Sequence, residues 1–282
     1  VVDEPTLEFI GTATTLLRLG PFTLLTDPNF LHEGQRAYLG KGLFSRRRTE
    51  PALQPAALPR LDGIVLSHLH GDHFDRIAKR ELGRNLPVFT TPEASRRLRD
   101  WGFHGAMPMP PWTSQTLEAH GSRLEITSIP GEHAPDFARR LLPPVMGSVL
   151  ELHSPGAVRP WRIYVTGDTL YRPWLREVVD RCGPIDAAIV HLGGTRVLGI
   201  LVTMDADQGA DLVQLIEPRL TVPVHYDDYT VFRSPLEDFV AAWSRRGLPG
   251  TLRTVRRGQT ISLLPPAQDS APLADEPARP DG

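Results

Sequence analysis

Two stretches far apart in the chain follow the same order of residue types, and this repetition constrains the fold more than any other feature. TTLLRLGPFTLLTDP (residues 14–28), followed by LDGIVLSHLH (61–70), resembles GSVLELHSPGAVRPWRIYVTGDT (147–169), followed by IDAAIVHLGG (185–194). Each gives a strand, a turn, a strand closing on Thr-(Gly)-Asp, and then an acid-led apolar strand closing at a histidine. Self-similarity of this length predicts two related halves facing each other across a shared core. The alignment pairs Asp27 with Asp168 and His68 with His191. A site between such halves would collect side chains from the ends of several strands.

The remaining pattern is that of an α/β protein, with short β-rich runs alternating with helical stretches. Strands are predicted at Leu7–Ile10, Thr15–Leu19, Phe22–Thr26, Gly63–Ser67, Val88–Thr90, Ser122–Ile129, Gly147–Leu152, Arg162–Thr166, Ala187–His191 and Thr221–Val224, with a closing strand pair at Thr251–Val255 and Ile261–Leu264. Helical spacing marks Pro92–Trp101, Leu175–Cys182, Met204–Ile216 and Pro235–Arg246. One domain over residues 1–264 is expected. PPAQDSAPLADEPARPDG (265–282) has almost nothing to bury and reads as a disordered tail.

Composition removes several function classes. Lysine plus arginine (31) nearly balances aspartate plus glutamate (33), so no global basic excess draws nucleic acid or acidic lipid. The one cysteine, Cys182, excludes an internal disulfide and a multi-cysteine zinc site, and reads as a packed residue at a helix end. No run approaches the roughly 20 apolar residues of a membrane span, and VVDEPTLEFI has neither the basic start nor the apolar core of a secretion signal. A cytoplasmic protein with a small-molecule substrate is the expectation, with no nucleic-acid or membrane partner.

The chemistry is concentrated in SHLHGDHFD (67–75), three histidines and two aspartates in nine positions. His68 and His70 sit two apart, so an extended or turning backbone aims both rings at one point. Gly71 is expected to supply an unusual backbone angle, after which Asp72 and His73 address a second point. A lone histidine is usually a satisfied polar residue. Four metal-capable side chains within six positions after an apolar strand would leave costly unpaired groups unless a cation meets them. Imidazole and carboxylate without thiolate suit catalytic zinc, manganese or iron. His133 in SIPGEHAPD, Asp168 in YVTGDT and His225 in TVPVHYDD each follow a predicted strand and fit the same site.

The order His-x-His-x-Asp-His, here His68, His70, Asp72 and His73, resembles the signature of the metallo-β-lactamase superfamily, and His133, Asp168 and His225 fall where the rest of that family's ligands stand. The resemblance covers roughly residues 5–264 and implies a four-layer αββα sandwich. It implies that His68, His70 and His133 hold one divalent ion, Asp72, His73 and His225 a second, and that Asp168 bridges them. Zinc comes first, with manganese or iron as alternatives. Two such ions share a water and make hydroxide available near neutral pH. The segments GTATTLLRLGPFTLLTDP and PVHYDD resemble a branch containing sugar-phosphate lactonases and lipid phosphodiesterases. The expected activity is cleavage of an ester, lactone or phosphoester. The competing readings are an iron-dependent oxidoreductase or dioxygenase of the same fold, a nucleic-acid phosphodiesterase, and a non-catalytic binding member.

Further residues carry secondary expectations. Asp72 doubles as a proton-handling group, and His191 either donates to a substrate oxyanion or braces a loop. Asp27 is expected behind a ligand histidine, and Asp227 and Asp228 around the loop that carries His225. Arg46, Arg47 and Arg48 offer bidentate contacts to an anionic substrate group, although a solvated run is the commoner reading. His32 shares their insertion. The least family-like segments, Phe30–Pro59 and Phe137–Pro144, are where pocket shape is expected to be set.

Overall fold

The computed structural model describes residues 4–135 and 142–265. The tail expected from residue 265 therefore lies, from residue 266 on, outside the described residues, as does most of Phe137–Pro144.

The first half runs β1 (Thr6–Gly11), β2 (Thr14–Leu19), β3 (Phe22–Thr26), a small hairpin β4 (Arg36–Tyr38) and β5 (Phe44–Arg46), then β6 (Gly63–Leu66), α1 (Arg76–Glu81), β7 (Val88–Thr90), α2 (Pro92–Asp100) and β8 (Ala106–Pro108). The second runs β9 (Ser114–Ala119), β10 (Ser122–Gly131), β11 (Val145–His153), β12 (Trp161–Val165), α3 (Glu177–Cys182), β13 (Ala187–His191), the hairpin β14 (Arg196–Val197) and β15 (Ile200–Leu201), α4 (Ala206–Ile216), β16 (Leu220–Val224), α5 (Leu236–Arg246), β17 (Thr251–Leu252) and β18 (Thr260–Ser262). Two seven-stranded sheets result, ordered β18-β1-β2-β3-β6-β7-β8 and β9-β10-β11-β12-β13-β16-β17. The first pairs three times antiparallel and then three times parallel. The second does the same in the same order.

The apolar strands are buried on both faces, and their successive residues enter different cores. In β6, Val65 faces the other sheet while Ile64 and Leu66 face α1 and α2; in β13, Ile189 faces inward while Ala188 and Val190 meet α3, α4 and α5. Three apolar clusters thus separate four layers, the αββα sandwich that the family resemblance implied. Among the described residues no helix is long and apolar enough to cross a membrane.

The duplication is real, but its register is not the one expected from the sequence. Thr26 pairs with Val65 as Val165 pairs with Ile189. The next amides, of Asp27 and Thr166, donate to the Val65 and Ile189 carbonyls, both at 3.1 Å. The leading acids also correspond: Asp62 accepts the Thr23 amide at 2.8 Å, and Asp186 accepts the Arg162 amide at 3.0 Å. Asp27 is therefore equivalent to Thr166, and Ser67 to His191. Asp168 stands two residues beyond the place of Asp27, and His68 one beyond that of His191. Identical letters at strand ends suggested otherwise, but backbone hydrogen bonds set register. The closing strands also differ from expectation: β17 adds to β16 in the second sheet and β18 to β1 in the first, so they do not pair with each other.

Candidate metal centre

The site forms where β3, β6, β12, β13 and β16 end, the side of an open parallel sheet on which sites are built. β6 stops at Leu66 and the chain turns through SHLHGDHF into α1. Asp75 caps that helix, accepting the Ile77 and Ala78 amides at 2.8 Å, and its other oxygen accepts those of Phe30 and Leu31. The turn is thereby fixed at its far end. Gly71 is needed for a different reason from the one expected. Its backbone does not enter the left-handed region, but a Cβ there would lie 2.7 Å from the Tyr38 nitrogen. The β4–β5 hairpin packs directly on the histidine turn.

All seven expected ligand residues are buried and converge as two clusters, His68–His70–His133 and Asp72–His73–Asp168–His225, each with its donor atoms within 4.8 Å of one another. In the first, His70 Nδ1 lies 2.8 Å from His68 Nε2 and 3.3 Å from His133 Nε2. In the second, His73 Nε2 lies 3.2 Å from Asp168 Oδ2, and His225 Nε2 lies 3.5 Å from Asp72 Oδ2. Each cluster takes members from both sheets: His68, His70, Asp72 and His73 follow β6, whereas His133, Asp168 and His225 follow β10, β12 and β16.

Contacts behind the rings decide which nitrogens face inward. His133 Nδ1 donates to the Val202 carbonyl at 2.6 Å, and His73 Nδ1 sits 3.1 Å from Asp27 Oδ2. Ser67 Oγ donates to Asp27 Oδ1 at 3.0 Å, leaving its lone pair for His68 Nδ1, also at 3.0 Å. His225 is a non-glycine residue at φ +63°. Its amide donates to the Thr12 carbonyl, the Thr12 amide donates to Asp228 Oδ2 at 2.7 Å, and Phe232 packs on its ring.

The electrostatics suit metal ligation. Burial and neighbouring imidazoles hold His68 well below the usual histidine range, and burial with His133 takes His70 to about 3. Burial also lowers His133. These rings keep free lone pairs at neutral pH, as metal ligation requires. In the other cluster burial works against the charge on His73, but the carboxylates of Asp168, Asp27 and Asp72 outweigh it and hold the ring well above the ordinary value. Asp72 Oδ1, Asp168 Oδ1 and both His225 ring nitrogens are buried with no hydrogen-bond partner among the described residues. Such orphans cost several kcal/mol together unless they are ligands.

The secondary candidates separate. Asp27 stands behind His73, as expected, and burial is overcome by His73 and His191 to hold its carboxyl at about 2. His191 is wholly buried, with Nδ1 3.1 Å from Thr166 Oγ1 and Nε2 facing Asp27 at 3.6 Å. Asp228 does brace the His225 loop, while Asp227 pairs with Arg257 at 3.1 Å. Arg47 corrects the expectation of a basic surface run. It is 1% exposed, donates to Asn29 and to the Thr49 carbonyl, and packs near Asp228 and Tyr229. Arg46 and Arg48 are exposed, and His32 pairs with Glu50 on the surface at 2.9 Å. Cys182 ends α3, half-buried. The supporting roles of Ser67, Thr166 and the Val202 carbonyl had no sequence signal beyond position.

A four-layer αββα sandwich with a histidine–aspartate centre at its seam defines a class of metal-dependent enzymes. A family model described as Beta-lactamase superfamily domain matches residues 23–226, and the chain belongs to that superfamily. A metal-dependent hydrolase of Thermus thermophilus is 26% identical over 261 residues, covering 91% of this chain and 98% of that one. Among solved structures, an isothiocyanate hydrolase from Delia radicum gut bacteria has a similar fold (TM-score 0.77, 17% identity, 92% of this chain and 99% of that one). So does CmlA, a diiron β-hydroxylase from Streptomyces venezuelae (TM-score 0.63, 17% identity, 93% of this chain and 55% of that one).

Proposed function

We propose that this chain, a metal-dependent hydrolase by family, uses two divalent ions to cleave an ester, lactone or phosphoester bond of a small molecule. His68, His70 and His133 would hold one ion, Asp72, His73 and His225 the other, with Asp168 between them. Such a pair lowers the pKa of water toward neutrality and stabilises the charge developing on the attacked carbonyl or phosphoryl group. The chain's own residues do the rest. Asp27 and Ser67 engage the outer nitrogens of His73 and His68, so that the inner nitrogens would face the ions. Asp72 keeps an oxygen without a partner, Oδ1, and is the group placed to carry a proton toward the leaving group. His191 acts as a positioning residue, through Thr166 and Asp27.

The convergence of the seven side chains into two donor clusters carries this reading. The donor set of imidazole and carboxylate puts zinc first, with manganese or iron as alternatives. The near balance of charges supports a small molecule over nucleic acid. One half-buried cysteine suits a cytoplasmic setting. Elemental analysis of the purified protein, with a chromogenic phosphodiester and a lactone panel, tests the proposal. Two equivalents of metal and chelator-sensitive hydrolysis are expected. Iron without hydrolysis would replace this reading with an oxidoreductase, and metal with neither activity would replace it with a binding protein.

A further inference from the structure

A cavity of about 740 Å³ adjoins the first ligand cluster at His70, walled by the β4–β5 hairpin, α1, α2 and Leu142–Pro144. Five cationic side chains line it: Arg36, Lys41, Arg76, Lys79 and Arg97. They come from three separate elements and the tip of the hairpin. Among the described residues none of the five forms an ion pair with a carboxylate, and all five line the one cavity. Two acids, Asp75 and Glu93, share the wall, so five cations stand against two carboxylates, an excess of three, and Asp75 spends both its oxygens on four backbone amides. In a chain of net charge −2, this is a local excess of positive charge among the described residues.

The same walls are aromatic. Lys79 Nζ lies 3.9 Å from the Trp101 ring centre and the Arg97 guanidinium 5.4 Å from it, so the cations are held over an apolar plate. Across the cavity the Tyr38 and Phe44 rings stand 5.1 Å apart, 50% and 61% exposed. Cations without carboxylate partners and aromatic faces without apolar cover, around one cavity, are matched by one ligand chemistry. We propose that this cavity binds an organic anion with an aromatic or alkyl body. That this anion is the substrate rests on the hydrolase reading above: the bound part would be the non-reacting portion of the molecule, whose scissile bond would reach past His70. Binding energy gained there would hold the reacting group in place.

The test is a matched pair of fluorescent probes on the purified protein, 1-anilinonaphthalene-8-sulfonate and its uncharged counterpart N-phenyl-1-naphthylamine. In the triple variant Arg76→Gln, Lys79→Gln, Arg97→Gln, the sulfonate should bind at least ~10-fold more weakly and the neutral probe within ~2-fold of wild type. Equal effects on both probes, or none on either, would overturn the proposal. Should the variant not fold, raising salt from about 0.05 to 0.5 M with wild-type protein gives the same discrimination: the sulfonate alone should weaken, because only its attraction is screened. Neither measurement needs turnover. Selective sulfonate binding by a protein that hydrolyses nothing would keep the cavity assignment and remove the hydrolase reading. Hydrolysis without selective binding would do the reverse.

Discussion

Asp27 with Ser67 in one half, and Thr166 with His191 in the other, stand at the same places in two sheets of the same order. The backbones match and the chemistry does not. In the first half a buried carboxylate orients two histidines, His68 through Ser67 and His73 directly. In the second a neutral hydroxyl faces a histidine that belongs to neither ligand cluster. The second half offers its carboxylate two residues later, on Asp168, beyond a glycine in the left-handed region. A Cβ on Gly167 would lie 2.6 Å from the Met146 carbonyl. A duplicated scaffold supplies positions, and each half has filled them differently.

The largest effect that tests this asymmetry is expected from Asp27→Asn. It preserves shape but removes the charge behind His73, and metal affinity or activity should fall on the order of 10- to 100-fold. Isothermal titration with zinc would measure it, and a change under about 2-fold would erase the distinction between the halves.

Acid and alkali should expose the same difference in chelator-treated protein. His70 titrates at about 3 in the fold against 6.5 outside it. As pH falls below 6.5 the unfolded chain takes up protons that folded His70, and the similarly lowered His68 and His133, refuse, so stability drops. His73 has the opposite sign. Its folded value is raised, so its contribution is complete below 6.5 and disappears as pH rises through that folded value. Urea midpoints against pH should therefore form a dome, and Asp27→Asn should move its alkaline limb to lower pH. An unmoved limb would detach Asp27 from His73.

The smallest effect belongs to Thr166→Val. It removes the hydroxyl that meets the His191 amide and ring, a cost of about 1–2 kcal/mol in urea unfolding. Metal affinity should stay within about 3-fold of wild type. A loss as large as that of Asp27→Asn would mean that the two pairs do the same work.

Much of this was legible in the chain. The four candidate ligands of HLHGDH lie within one turn, so local spacing was enough, and the strand-end positions of His133, Asp168 and His225 brought in the others. Register was not legible, because Thr166 and His191 reveal their equivalence to Asp27 and Ser67 only through hydrogen bonds between strands. Arg47 looked like part of a surface run because neighbouring arginines in sequence take opposite environments on an irregular hairpin. Part of the cavity wall was legible in Phe30–Pro59 and at Leu142–Pro144, but its charge was hidden for a related reason. The cations are spread over the hairpin, α1 and α2, and no short window of sequence brings all five together.

Because each donor cluster borrows from both sheets, neither half of the polypeptide owns a complete nest for a cation. A nascent chain that has made only the first sheet presents His68, His70, Asp72 and His73 but lacks the three residues that close the cage. On the two-ion reading, cation capture would be a late event in the life of the molecule, a rivet driven through the join once both leaves have met. Occupancy in the cell would then report assembly as much as metal supply.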